Sequence, residues 1–170
     1  NEFLANKENE VWHDNTLWMV RAKRDKMSRS IPEWERLRDM ASAIKNYSNS
    51  HLDTLLEEFE RNATANGAIV HWAKDAEEHN RIVLDILKQH KVQRLVKSKS
   101  MLTEECHMNP YLMEQGIDVV ETDLGERILQ LMKLEPSHIV MPAIHIKREA
   151  IGQMMEREMH TEKGNFDPTY

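Results

Sequence analysis

The chain has 170 residues with a formal net charge of −6, 40% hydrophobic and 31% charged residues, and only five glycines and five prolines. That length supports one domain burying about 70% of its unfolded surface, and the composition excludes a disordered chain. The acidic balance argues against wholesale nucleic-acid or anionic-membrane binding, and no apolar run nears the roughly 18 residues of a membrane span.

The single cysteine, Cys106, excludes an internal disulfide framework and points to a reducing cytoplasm as the natural home. One thiol also cannot hold an iron–sulfur cluster, which takes about four thiolates.

Helices come first along the chain. Trp12, Leu17, Trp18 and Val20 give a loose apolar face to a first helix. RAKRDKMSR, Arg21 to Arg29, holds five basic residues in nine; a solvated helix face explains them, and docking to an acidic partner is the second reading. SIPE at Ser30–Glu33 carries the pattern of a helix start, with Ser30 as cap, Pro32 in the first turn and Glu33 at the capping-box position. Behind it Ile31, Trp34, Leu37, Ala41 and Ile44 recur at helical steps. A third helix from Ser50 sets Leu52, Leu55, Leu56 and Phe59 on one side, and Asn66–Gly67 suits its C-terminal cap.

Then the rhythm changes. Short apolar runs begin near Ala68, Val92, Ile117 and His138, at steps of about 24, 25 and 21 residues, the spacing of βα units. Asp75 with Glu78, and Asp123 with Glu126, form capping boxes ahead of helical stripes, and Ile151, Met154, Met155 and Met159 mark a last helix. The expectation is an α/β fold: an N-terminal helical region over residues 1–66, then a parallel sheet of about four strands with flanking helices over 67–170. Four strands make a small sheet, and GNFDPTY at Gly164–Tyr170 reads as a loop leading onward, so the sheet is expected to be incomplete and the chain a piece of a longer protein. An unpaired sheet edge is then expected to promote self-association.

In an open parallel sheet, ligands bind beyond the carboxyl ends of the strands. The four expected turns bring Lys74, Lys97, Ser98, Lys99, Ser100, Glu121, Asp123, Glu126 and His145 to that rim. Lys97 and Lys99 point to one side of an extended chain, and Ser100 heads a helix whose first amides attract negative charge. Two readings stand open for VKSKS: an anion or ligand contact made by Lys97, Ser98, Lys99 and Ser100, or a strand end followed by a helix cap. Asp123 and Glu126 are explained as cap residues but stay among the ligand candidates with His145. No Gly-rich phosphate loop is present. His138 and His145, seven apart, fit no zinc spacing, so no metal site is expected in this chain. Cys106 follows two glutamates, which disfavour its thiolate, and reads as a structural thiol.

Six ordered blocks carry a resemblance: VWHDNTLW, VRAKRDKMSRSIPEWERLR, HLDTLLEEFERNATANGAIVHWAKDAEEHNRIV, VKSKSMLTEECHMNPYL, GIDVVETDLGERILQL and PSHIVMPAIHIK. Together they resemble the bacterial lactate-utilization iron–sulfur proteins, the B-type subunits of L-lactate oxidation complexes, whose domain is called LUD. The resemblance implies a sheet domain similar to the sugar-phosphate isomerase and CoA transferase fold. It implies a longer protein whose further region binds two 4Fe–4S clusters, with no cofactor in this chain. It also implies electron transfer in the oxidation of L-lactate to pyruvate, with other subunits of the complex as partners and this piece inactive by itself. The alternative function is a ligand-binding or transferase-like domain for a small phosphorylated, carboxylated or CoA-linked molecule. A third is a structural domain that docks partner subunits through its helices.

Overall fold

A computed structural model describes residues 6–166; of the C-terminal stretch expected to run onward as a loop, residues 167–170 lie outside the described residues. Within the described residues the elements are α1 Lys7–Arg29, α2 Trp34–Ser50, α3 Leu52–Ala65, α4 Ala76–Gln89, β1 Arg94–Lys97, α5 Met101–Glu105, α6 Met108–Glu114, β2 Asp118–Glu121, α7 Leu124–Met132 and α8 Arg148–Glu158. They divide into two compact units, residues 17–72 and a second formed by residues 73–166 with the start of α1.

The helical unit follows its apolar periodicity. Asn6 caps α1, its Oδ1 accepting from the amides of Glu8 and Asn9 at 3.1 and 3.2 Å. The start of α2 differs from the expected capping box. Ser30 turns back, its hydroxyl donating to the Met27 carbonyl at 2.7 Å, so it closes α1 instead of opening α2. Pro32 lies in the intervening turn, and α2 begins at Trp34. The end of α3 is as the sequence implies: Asn66 is the C-cap, and Gly67 follows at φ +87°, a conformation that glycine adopts without strain.

In the other unit, β1 and β2 form a parallel pair in the register Arg94↔Asp118, Leu95↔Val119, Val96↔Val120 and Lys97↔Glu121. The crossover between them holds α5 and α6, separated at His107, whose φ of 49° is left-handed. Leu84 and Leu87 of α4, Met108 and Leu112 of α6, Ile117 and Val119 form the core on one face of the pair. Asn80, buried in α4, ties that helix to the break by donating to the Cys106 carbonyl at 2.7 Å.

Two strands form among the described residues where four were expected. The run at Ala68 joins no ladder: the Ala68 amide donates back to the Ala63 carbonyl at 3.0 Å, and Ile69 is 82% exposed. The run at His138 is turned on itself: the amides of Val140 and Met141 donate to His138 Nδ1 at 3.1 and 3.0 Å. Those two amides serve a side chain, Pro142 supplies none, and the Ile139 and Val140 carbonyls accept from Lys99, so the run offers few groups for a ladder.

Leu112 is fully buried, so Leu112→Ala should cost about 2–5 kcal/mol of unfolding free energy. Urea unfolding followed by circular dichroism measures this; a change below about 1 kcal/mol would show the core is not built around it.

Candidate functional site

Lys97 and Glu121 are the last residues of their strands and register partners. Their side chains are 10% and 3% exposed and form an ion pair. Glu104, in the first turn of α5, reaches the same ammonium at 3.4 Å. Asn109 of α6 donates through Nδ2 to Glu121 Oε1 at 2.7 Å. Gln130 of α7 holds the backbone beside the pair, accepting from the Glu121 amide at 3.3 Å and donating to the Val119 carbonyl at 2.7 Å.

Lys99 faces a second group. Its Nζ lies 3.8 Å from both Asp123 Oδ1 and Glu126 Oε1, and donates to the carbonyls of Ile139 and Val140 at 3.3 and 3.2 Å. The loop bearing those carbonyls is closed by the Ser137 amide, which donates to the Pro142 carbonyl at 3.1 Å. It lies close on α7: a Cβ added at Gly125 would fall 2.8 Å from Pro142 Cγ. Any larger residue there must displace the loop.

Of the candidates, Lys97, Lys99, Asp123 and Glu126 come together, joined by Glu121. Ser100 acts as the cap of α5, accepting from the Thr103 amide at 3.4 Å. Ser98 is exposed. His145 stands against His13 of α1, ring centroids 6.1 Å apart. Sequence reasoning missed Glu104, Asn109 and Gln130. Only Glu104 left a signal: an acid in the first turn of the helix that follows a strand-end lysine.

The carboxylates expected at the rim lie against the lysines, and Glu104 adds one more. Four carboxylates, from Glu104, Glu121, Asp123 and Glu126, surround two ammonium groups. Burial pushes the Glu126 carboxyl above its ordinary value, and the charge of Glu104 adds to it; Lys99 opposes, while Glu121 and Asp123 push further up. Two buried acceptors, Glu121 Oε2 and Asn109 Oδ1, have no hydrogen-bond donor among the described residues. Such a cluster receives protons and donors more readily than another anion. At five residues, α5 adds little dipole to offset this.

No group of three or more His, Cys, Asp or Glu among the described residues could hold a metal ion. Cys106, the one thiol, is half-buried and cannot supply the thiolates an iron–sulfur cluster needs. No described helix is long and apolar enough to cross a membrane.

Parallel strands joined by a helical crossover, with charged side chains gathered at their carboxyl ends, define an α/β domain. The chain belongs to the LUD domain family, which matches residues 56–167, about two-thirds of its length. It is 39% identical over 145 residues to "Uncharacterized electron transport protein YkgF" of Escherichia coli (strain K12), covering 85% of this chain and 30% of that protein. It is 40% identical over 139 residues to "Lactate utilization protein B" of Exiguobacterium sp. (strain ATCC BAA-1283 / AT1b), covering 82% and 29%. The protein of the same name from Bacillus subtilis (strain 168) is 37% identical over 148 residues, covering 85% and 31%. The chain thus spans about 30% of the length of the curated relatives it matches. No solved structure matches.

Lys97→Met strands the Glu121 carboxylate in the interior and should cost about 3–5 kcal/mol, whereas Lys97→Met with Glu121→Leu should recover most of it. Denaturant unfolding of both variants checks this; equal losses would mean the pair is not coupled.

Two groups also predict opposite pH slopes. Glu126 binds its proton more tightly folded than unfolded, so its contribution falls as pH rises from about 4.5 through the raised folded value. His145 is shifted down, chiefly by burial and then by His13, against a hydrogen bond to the Pro142 backbone. Its contribution is complete above about 6.5 and is lost as pH falls through the lowered folded value. Glu126→Gln should therefore make stability climb more steeply with pH between 4.5 and 6.5, and His145→Gln should flatten it. Melting temperatures across that range give both slopes; unchanged slopes would contradict the assignments.

Proposed function

We propose that the chain is the LUD-domain portion of an iron–sulfur electron-transfer subunit acting in the oxidation of L-lactate to pyruvate. The observation that carries this is the 37–40% identity to proteins named "Lactate utilization protein B" over most of this chain. The electron-transport name of the Escherichia coli relative supports the redox part of the reading. In it, the two 4Fe–4S clusters belong to the portion of the full-length protein that corresponds to the relatives' remaining length, because this chain has one thiol. Its partners are the other subunits of the lactate oxidation complex. Its sheet is part of a fold similar to sugar-phosphate isomerases and CoA transferases, and the protein works in the cytoplasm.

Within that reading the chain's own residues position and insulate and carry no electrons themselves. Lys97, Lys99 and their carboxylates lock the strand ends to α5 and α7, giving a rigid platform. The charged rim is the face at which a small carboxylate such as lactate would meet Lys97 or Lys99 only by displacing a resident carboxylate.

The test uses the full-length gene product, purified without oxygen. Iron and acid-labile sulfide should match two 4Fe–4S clusters, and reduction should produce a cluster signal in electron paramagnetic resonance. Deleting the gene should abolish growth on L-lactate while leaving growth on pyruvate intact. A full-length protein without iron, or normal growth of the deletion strain on L-lactate, would overturn the proposal.

A further inference from the structure

The helical unit has a feature that electron transfer does not use: none of α1, α2 or α3 contains a buried residue. Yet α2 carries an apolar stripe through Trp34, Leu37, Met40, Ile44 and Tyr47, spaced three or four apart, with Ile44 64% exposed. On α3 the stripe continues through Leu52, Leu56 and Phe59, the last 62% exposed. A stripe of this length on a folded domain marks an interaction surface.

Charge beside the stripe says what kind of partner fits. On α3, Asp53 and Glu57 each directly follow a stripe residue, and Glu58 lies across the helix; all three are exposed, and none is in an ion pair among the described residues. The second half of α1 is the opposite. Lys23, Lys26 and Arg29 are exposed and likewise make no ion pair among the described residues, while Arg24 pairs with Asp25 and Arg21 stacks over Trp18. No described ion pair joins the basic stretch to the acids of α3 within one chain. One chain thus carries both halves of a complementary pair and an uncovered apolar face in one helical unit. Self-complementarity of that kind is what an isologous two-fold interface requires.

We propose that the helical unit is a self-association surface, occupied by a second copy of this chain. The basic stretch Arg21–Arg29 of each copy lies against the acidic edge of α3 on the other, and the apolar stripes close between them.

Two charge-reversed variants test this. One carries Lys23→Glu, Lys26→Glu and Arg29→Glu; the other carries Asp53→Lys, Glu57→Lys and Glu58→Lys. Sedimentation equilibrium of the 170-residue chain should show a dimer that weakens as salt rises. Each variant alone should self-associate at least about tenfold more weakly, since attraction becomes repulsion at both ends of the two-fold. Mixed one to one, the variants should form a heterodimer, because one is then acidic at both sites and the other basic at both. Recovery of wild-type helical circular dichroism on mixing, together with heterodimer formation, shows that each variant can still form the helices. A wild-type chain that stays monomeric overturns the proposal. So does a dimer indifferent to both reversals, as association through the sheet edge would be, or a mixture that fails to restore pairing.

Discussion

The Lys97–Glu121 pair is the constraint on which the sheet unit depends. Two strands of four residues make a marginal ladder by themselves. Placing a buried cation opposite a buried carboxylate at the last register position penalises every other register. A slip of one residue sets Lys97 against Val120 or Thr122 and takes the buried Glu121 carboxylate away from its ammonium partner, leaving Lys97 only Glu104. Such a pair need not add net stability to specify the arrangement; its effect is that the alternatives become costly. Three helices then take their positions from the same few atoms. Glu104 brings α5 to the ammonium, Asn109 brings α6 to the carboxylate, and Gln130 of α7 holds the strand backbone behind it.

What could be read from the sequence divides along local and non-local lines. Asp75 and Asp123 cap their helices as their spacing implies, each accepting the amide of the residue three later. The strands ending at Lys97 and Glu121 were equally visible, because β-branched residues there precede a capped helix. Ser30 shows the limit of the same rule. A serine hydroxyl can accept from the helix that follows or donate to the one that precedes, and here the carbonyl at the end of α1 took it. The runs at Ala68 and His138 have strand composition, but a strand is defined by its neighbour. A sequence window contains no information on which ladder is available.

The charge of the lysine–serine turn depends on non-local neighbours in the same way. Lys97, Ser98, Lys99 and Ser100 are cationic only as an isolated stretch. Once the chain folds, Glu104 arrives from seven residues on, and Glu121, Asp123 and Glu126 arrive across the sheet. The sign of the site is therefore a property of the topology, since parallel strands bring all their carboxyl-end residues to one edge. The same convergence that makes such rims suited to ligands here fills the rim with mutual partners.

The helical unit presents the opposite situation, with strong local signals and little tertiary use of them. Helices of 17 and 14 residues, the lengths of α2 and α3, are near the limit at which an isolated helix persists in water. In most proteins the missing stability comes from covering the apolar face, yet here that face lies open along both helices. Helix formation and covering of the stripe are consequently one coupled equilibrium. Whatever binds the stripe also stabilises the helices, by an amount that rises with its concentration. Loops could not act in this way, because they carry no apolar periodicity to align. The regular three- and four-residue spacing of Trp34, Leu37, Met40, Ile44 and Tyr47 is thus best understood as a contact surface whose fold is completed by association.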